Sequence, residues 1–336
     1  MKILVTGGIG YIGSHTVVEL INNNYEVVII DNLSNSELFI LDNIEKITGI
    51  RPIFYNQDLL DFIKTNQIFK KEKINGVIHF AAFKSVSESV RSPLKYYENN
   101  LFSLINILNA MKENNVSNFV FSSSCTVYGQ PDKLPVSESS PFKNAESPYA
   151  ESKQISEQII KDFTNSHNNI SSVSLRYFNP VGAHESALIG ELPKGVPDNL
   201  VPYITQTAAG IREVLSVFGK DYNTHDGTAI RDYIHVEDLA KAHLKAFNFL
   251  NDSDDKNIYE FFNVGTGIGY SVLDVINSFE NVNNLKLNYS FKDRRDGDIE
   301  EIYSDVIKSK KVLKWESERT LDDMMSSAWK WQKNLK

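Results

Sequence analysis

Residues 2–31 restrict the fold more than any other stretch. Lys2-Ile3-Leu4-Val5-Thr6 is a short apolar run that passes directly into Gly7-Gly8-Ile9-Gly10-Tyr11-Ile12-Gly13. An amphipathic segment, Ser14-His15-Thr16-Val17-Val18-Glu19-Leu20, follows. The order predicts a strand, a glycine turn and a helix. Glycines in such a turn let backbone amides approach a pyrophosphate, and the helix N-terminus adds partial positive charge. Gly8, Gly10 and Gly13 satisfy the dinucleotide spacing, as do Gly7, Gly10 and Gly13 in a wider form. The same glycines also describe a tight turn with no ligand, so the context has to decide. Tyr25-Glu26-Val27-Val28-Ile29-Ile30-Asp31 reads as a buried strand ending in an acid, near the distance at which an acid bonds adenosine ribose hydroxyls. An acid at Asp31 repels a 2′-phosphate, which favours NAD over NADP.

The alternation continues downstream. Pro52 to Tyr55 reads as a third strand with Asp58 beyond it, and Leu60 to Lys71 as a helix. Gly76 to Phe80 reads as a fourth strand opening into Ala81-Ala82-Phe83-Lys84, Leu94 to Glu113 as a long helix, and Asn118 to Ser122 as a fifth strand. Strands alternating with helices predict an α/β fold with a Rossmann-like, doubly wound parallel sheet. Ligands of such sheets sit at the C-terminal strand ends. Gly7, Asp31, Asp58, Phe80 and Ser122 to Ser124 should therefore face one crevice.

A second constellation lies at Ser147-Pro148-Tyr149-Ala150-Glu151-Ser152-Lys153. Ser147 suits an N-cap and Pro148 a first-turn position. Tyr149 and Lys153 then share one helix face. A phenol is a poor base near pH 7, and a nearby cation favours its ionised form. Such a pair can take a proton from a sugar or alcohol hydroxyl. Ser124, at the end of the fifth strand, is placed to hydrogen-bond the same hydroxyl, although serines also favour plain turns. Cys125 lacks an evident base partner and reads as a packing residue.

The bulk properties exclude several classes. A chain of 336 residues exceeds what one core usually holds, so two domains are expected. A net charge of −8 with no Lys/Arg cluster argues against nucleic-acid binding. One cysteine forbids a disulfide framework. No apolar run reaches membrane-spanning length, and the first residues read as a strand rather than a signal peptide, so a cytoplasmic protein is expected. No second histidine stands at metal-ligand spacing from His235, so no metal is expected.

These motifs together resemble an extended short-chain dehydrogenase/reductase, and most closely the UDP-glucose 4-epimerase family. The resemblance runs from the first strand to the Trp-rich C-terminus. It implies that Gly7, Gly10, Tyr11, Ile12, Gly13, Asp31, Asn32, Asp58, Leu59, Phe80, Ala81, Lys84, Asn99 and Phe178 contact NAD, with Ser124, Tyr149 and Lys153 both catalytic and cofactor-facing. Arg176-Tyr177-Phe178-Asn179-Pro180-Val181-Gly182-Ala183 is similar to a family segment whose Asn binds the substrate diphosphate, which points to Asn179. By the same resemblance Asn199, Leu200, Phe218, Arg231, Arg295 and Asp298 hold the uridine diphosphate, beside Ser124 and Tyr149 at the sugar. Ile302 falls where the family alternates between Tyr and a small residue that gates N-acetylated sugars, so partial acceptance of UDP-N-acetylglucosamine is expected.

The division implied is residues 1–178 as the NAD-binding Rossmann domain and 179–336 mainly as a smaller α/β UDP-sugar-binding domain, with some elements returning to the first. His235 and Asp238 are expected to pack the loop and cap a helix from about residue 238. The implied reaction is reversible epimerisation of UDP-galactose and UDP-glucose at C4 by a homodimer. The alternatives are a UDP-N-acetylglucosamine or UDP-glucuronate 4-epimerase, or an NAD-sensing regulator. Dehydratases on this scaffold carry acids after the position of Ser124, where this chain has Cys125 and Thr126.

Overall fold

The computed structural model describes residues 1–295 and 298–335. The first half alternates strands with helices, two helices standing between β4 and β5: β1 (Lys2–Thr6), α1 (Tyr11–Asn22), β2 (Glu26–Asp31), α2 (Phe39–Thr48), β3 (Ile53–Asn56), α3 (Phe62–Glu72), β4 (Gly76–His79), α4 (Val86–Arg91), α5 (Pro93–Glu113), β5 (Asn118–Ser122), α6 (Pro148–Asn165) and β6 (Ser171–Tyr177). The second half carries β7 (Asn179–Val181), α7 (Leu200–Ala208), β8 (Leu215–Phe218), β9 (Ile230–His235), α8 (Val236–Asn251), β10 (Tyr259–Val264), β11 (Gly269–Ser271), α9 (Val272–Asn283), β12 (Tyr289–Lys292), β13 (Glu301–Ile302) and α10 (Leu321–Asn334).

The main sheet has seven parallel strands in the order β10-β6-β5-β4-β1-β2-β3. The strand period of two divides its side chains between two cores. Ile3, Val5, Val27 and Ile29 pack on one face with Val17 and Leu20 of α1 and Leu239 and Phe247 of α8. Leu4, Val28, Ile30 and Val77 pack on the other with Leu104, Ile107 and Met111 of α5 and Ile160 of α6. Both faces are covered, which is why the strands read as continuous apolar runs.

The remaining strands build a smaller lobe. There β9 pairs with β11, β13 and β7, and β12 pairs with β8. Its core joins α7, α9 and α10 through Ile204, Ile276, Phe279, Met324 and Met325. Two elements of this half of the chain complete the first: β10 supplies the seventh strand and α8 packs against α1.

One buried charge pair ties α6 to the sheet. Arg176 Nη2 lies 2.6 Å from Glu157 Oε2, with both side chains almost fully buried. Ser123 Oγ donates to Glu157 Oε1 at 2.5 Å, and Arg176 Nη1 donates to Tyr128 Oη at 3.0 Å. Removing one partner strands the other charge in a dry interior. Glu157→Ala should therefore cost about 3–5 kcal/mol of stability, measured by urea unfolding. A loss below about 1 kcal/mol, typical of a surface pair, would show that the site is hydrated.

Candidate active site

Three elements converge at the C-terminal edge of the sheet. Ser147 caps α6 by accepting from Ala150 N, and Pro148 occupies the first turn, as the sequence predicts. Tyr149 and Lys153 are both buried on the inward face. The β5 strand ends at Ser122, and Ser124 caps a short 3-10 turn over Cys125–Tyr128. Thr126 donates to Ser124 Oγ through its backbone N at 3.2 Å and its hydroxyl at 3.0 Å. The Ser124 hydroxyl thus has its proton left to donate elsewhere, and Ser124 acts to lower the Tyr149 pKa, which favours the phenolate.

The electrostatics depart from expectation in one respect. Lys153 does not offset the effect of burial on the phenol. Its ammonium donates to Ser122 O at 2.7 Å and sits 4.7 Å from the Phe121 ring centre, against 5.9 Å from that of Tyr149. Burial dominates at Tyr149 and raises its pKa, with Tyr177 adding to the rise and Ser124 opposing it. The phenol therefore rests neutral. Burial also lowers the Lys153 pKa to about 8, while Glu157, one turn further along α6, pulls the other way.

The glycine loop is built for close approach. Gly7 has φ +67°, and a Cβ there would come within 3.0 Å of Ala81 N. A Cβ on Gly13 would lie 2.1 Å from Gly7 O, so helix and strand meet with no room for a side chain. Gly10 stands at the N-cap of α1. Among the described residues no side chain caps it, and the first turn carries no acid. Tyr11 turns away and donates to Gly182 O at 2.7 Å, and Ile12 packs on the core. Asp31 Oδ1 accepts from Leu33 N and Ser36 Oγ at 2.9 and 2.7 Å. Asn32 donates to Asp58 Oδ2 at 3.0 Å, and these two line one cleft with Phe83 and Asn99. Leu59 is buried behind Asp58, and Phe80 and Ala81 follow β4 above Thr6. An uncapped helix start, an acid and a polar cleft suit the phosphates, ribose and base of NAD in turn.

A second cluster lies on the smaller lobe. The Arg295 guanidinium stacks 3.9 Å from the Phe218 ring centre at the end of β8. Arg231 Nη2 lies 3.6 Å from Asp298 Oδ1. Asn179 begins β7 and pairs with Tyr233 of β9, the strand that carries Arg231. Asn199 and Leu200 open α7, and Asn199 donates to Glu191 Oε1 at 2.7 Å. Lys84 also reaches that oxygen, at 3.0 Å. Ile302 pairs with Arg231 and is buried with Phe178 and Cys125, joining this cluster to Ser124. Asp296 and Gly297, within the motif that carries Arg295 and Asp298, lie outside the described residues.

Two readings change. His235 is the N-cap of α8, accepting from Glu237 N, and the helix starts at Val236. Asp238 is no cap: it accepts from Glu318 N and Arg319 N at 2.9 Å each and from the Arg319 guanidinium at 2.6 Å. It anchors the C-terminal segment. Cys125 is a packing residue, its thiol pushed up to about 12 by burial.

Sequence reasoning missed four residues here. Thr126 orients Ser124. Tyr177 accepts from Ser122 Oγ at 3.1 Å beside Tyr149. Asp232 holds Ser304 N and Thr266 N at 3.1 and 2.8 Å, which fixes the loop behind Ile302. Glu157 stands four residues after Lys153, a spacing that signals a shared helix face.

A family model described as GDP-mannose 4,6 dehydratase matches residues 4–328. A UDP-glucose 4-epimerase of Haemophilus influenzae is 51% identical over 334 residues, covering 99% of this chain and 98% of that protein. The chain belongs to the UDP-glucose 4-epimerase family. Among solved structures, the Stenotrophomonas maltophila epimerase with bound NAD and formylated UDP-arabinopyranose superposes with a TM-score of 0.96 at 45% identity, over 99% of this chain and 98% of that one. The Bifidobacterium longum epimerase in complex with NAD+ and UDP gives 0.95 at 45% identity, over 100% and 99%. Beside the dehydratase description of the matching model, the residues that follow Ser124 are Cys125 and Thr126, neither of them an acid.

The Lys153 environment predicts a pH profile. The ammonium is charged below its pKa and neutral above it, so kcat/KM should fall as pH rises through about 8. Lys153→Met should remove that limb together with most of the activity. A wild-type profile flat from pH 7 to about 9.5 would remove Lys153 from the charged role.

Proposed function

We propose that the protein interconverts UDP-galactose and UDP-glucose by inverting C4 through a 4-keto sugar, with NAD as a retained cofactor. The observation that carries this is the placement of Tyr149, Ser124 and Lys153 at the end of the cofactor sheet, one residue layer from the Arg231–Asp298 and Phe218–Arg295 cluster. Bound NAD supplies a hydride acceptor that returns the hydride it takes, so there is no net redox change. Tyr149 accepts the proton of the 4-hydroxyl and gives it back, and Ser124 holds that hydroxyl. Lys153, charged below about pH 8, and the Ser124 donor favour the base form of the phenol. The stacked Phe218 suits a uracil, and Arg231 and Arg295 suit the diphosphate. With the nucleotide gripped there, the keto sugar can turn and present its other face.

Three finer points belong to the same proposal. Ile302, of intermediate bulk, admits UDP-N-acetylglucosamine partially, and no turnover of that substrate beside normal turnover of UDP-galactose would exclude it. The protein is a homodimer through α5 and α6, which the exposed Leu94 and Phe102 of α5 support and sedimentation tests. It works in the cytoplasm; among the described residues no helix is long and apolar enough to cross a membrane.

Purified protein incubated with UDP-galactose and no added NAD should form UDP-glucose to a fixed ratio without net NADH. No conversion even after NAD is added would overturn the reading. Tyr149→Phe should keep its dinucleotide and lose roughly 10²–10⁴-fold in turnover. Near-normal turnover by that folded variant would remove Tyr149 as the base.

A further inference from the structure

Residues 188–199 cross the cofactor edge of the sheet. In the strand order, β1 lies between β4 and β2. The glycine loop follows β1, Lys84 and Ser85 follow β4, and Leu33 to Glu37 follow β2. Segment 188–199 bonds to both banks. On the β4 side Lys84 Nζ donates to Glu191 Oε1 at 3.0 Å, and Ser85 Oγ donates to Asp198 Oδ2 at 2.7 Å. On the β2 side Lys194 Nζ donates to Leu33 O and Ser34 O at 3.1 and 3.3 Å and lies 3.4 Å from Glu37 Oε1. Asn43 Nδ2 of α2 donates to Leu188 O at 2.7 Å. The segment therefore spans the end of β1, above the loop read as the pyrophosphate cradle.

It is also backed from behind. Trp331 Nε1 of α10 donates to Glu191 O at 2.9 Å, and a Cβ on Gly190 would meet the indole at 2.5 Å. Glu191 thus has a fixed backbone and an almost buried side chain. A single oxygen of its carboxylate takes both Lys84 and Asn199. One of these is a cofactor candidate and the other a substrate candidate.

We propose that Glu191 is a positioning residue that pins segment 188–199 as a strap over the dinucleotide and sets Lys84 and Asn199 for the two ligands at once. The proposal rests on the NAD-dependent reading above. The strap's bonds on the β2 side reach only the ribose bank, so Lys194 acts on cofactor retention alone. Lys84 and Asn199 both lose their anchor when Glu191 loses its charge, so Glu191 acts on both ligands.

The test is exchange of bound NAD for labelled NAD, with steady-state kinetics on UDP-galactose at saturating NAD. Glu191→Gln should exchange roughly tenfold faster and raise KM several-fold, with kcat within about twofold. Lys194→Ala should exchange faster with KM and kcat unchanged. Reversing the exposed pair, Lys194→Glu with Glu37→Lys, should slow exchange again relative to Lys194→Glu alone. Wild-type exchange rates in Glu191→Gln and Lys194→Ala would overturn the strap. A Glu191→Gln loss confined to kcat and melting temperature would overturn the positioning role in favour of a structural one. A wild-type protein that binds no dinucleotide would overturn the functional reading and this proposal with it.

Discussion

The site's geometry hangs on a buried charge pair. Glu157 follows Lys153 by one turn of α6, and Arg176 immediately precedes Tyr177 at the end of β6, from which the chain runs through Phe178 into Asn179 of β7. Their ion pair sets the helix that carries the base against the strand that leads into the substrate side. A buried pair is stable only when its remaining hydrogen-bonding capacity is met. Here Ser123 and Tyr128 meet it, and the guanidinium lies 4.1 Å from the Phe261 ring centre and 4.7 Å from that of Phe142. Tyr128 passes the network to Asn263 of β10 at 2.6 Å, and Asn263 donates to Val136 O at 2.8 Å. The polar core therefore reaches from the helix of Tyr149 to the strand closing the sheet.

How much of this was legible depended on distance along the chain. The glycine loop, Asp31, and the Ser147-Pro148 helix start are encoded within a few residues, and the structure places each as the sequence predicts. The start of α9 is as local, since Ser271 and Asp274 form a capping box. Asp238 misled because an acid near a helix start looks like a cap, whereas its partners lie 80 and 81 residues away. The same distance hid Glu191, whose meaning depends on Lys84, 107 residues earlier. Tyr149 is a different case. Lys153 is buried with it on α6, but a spacing of four says nothing about which acceptor the ammonium chooses. Ser122 O takes it, and the burial of both side chains then decides their proton affinities.

The return of β10 to the main sheet has a consequence for how the chain is made. The sheet is seven strands wide only once residues 259–264 are present, and α1 is covered only once α8 has been made. A nascent chain that stops after β6 leaves that strand as an unpaired edge, with Val17 and Leu20 of α1 stripped of their α8 partners. Bare edges and apolar faces invite association with other chains. The ribosome must therefore deliver most of the polypeptide before the nucleotide fold can close. The two halves cannot be separated by a cut at one linker, because the second threads back through the first.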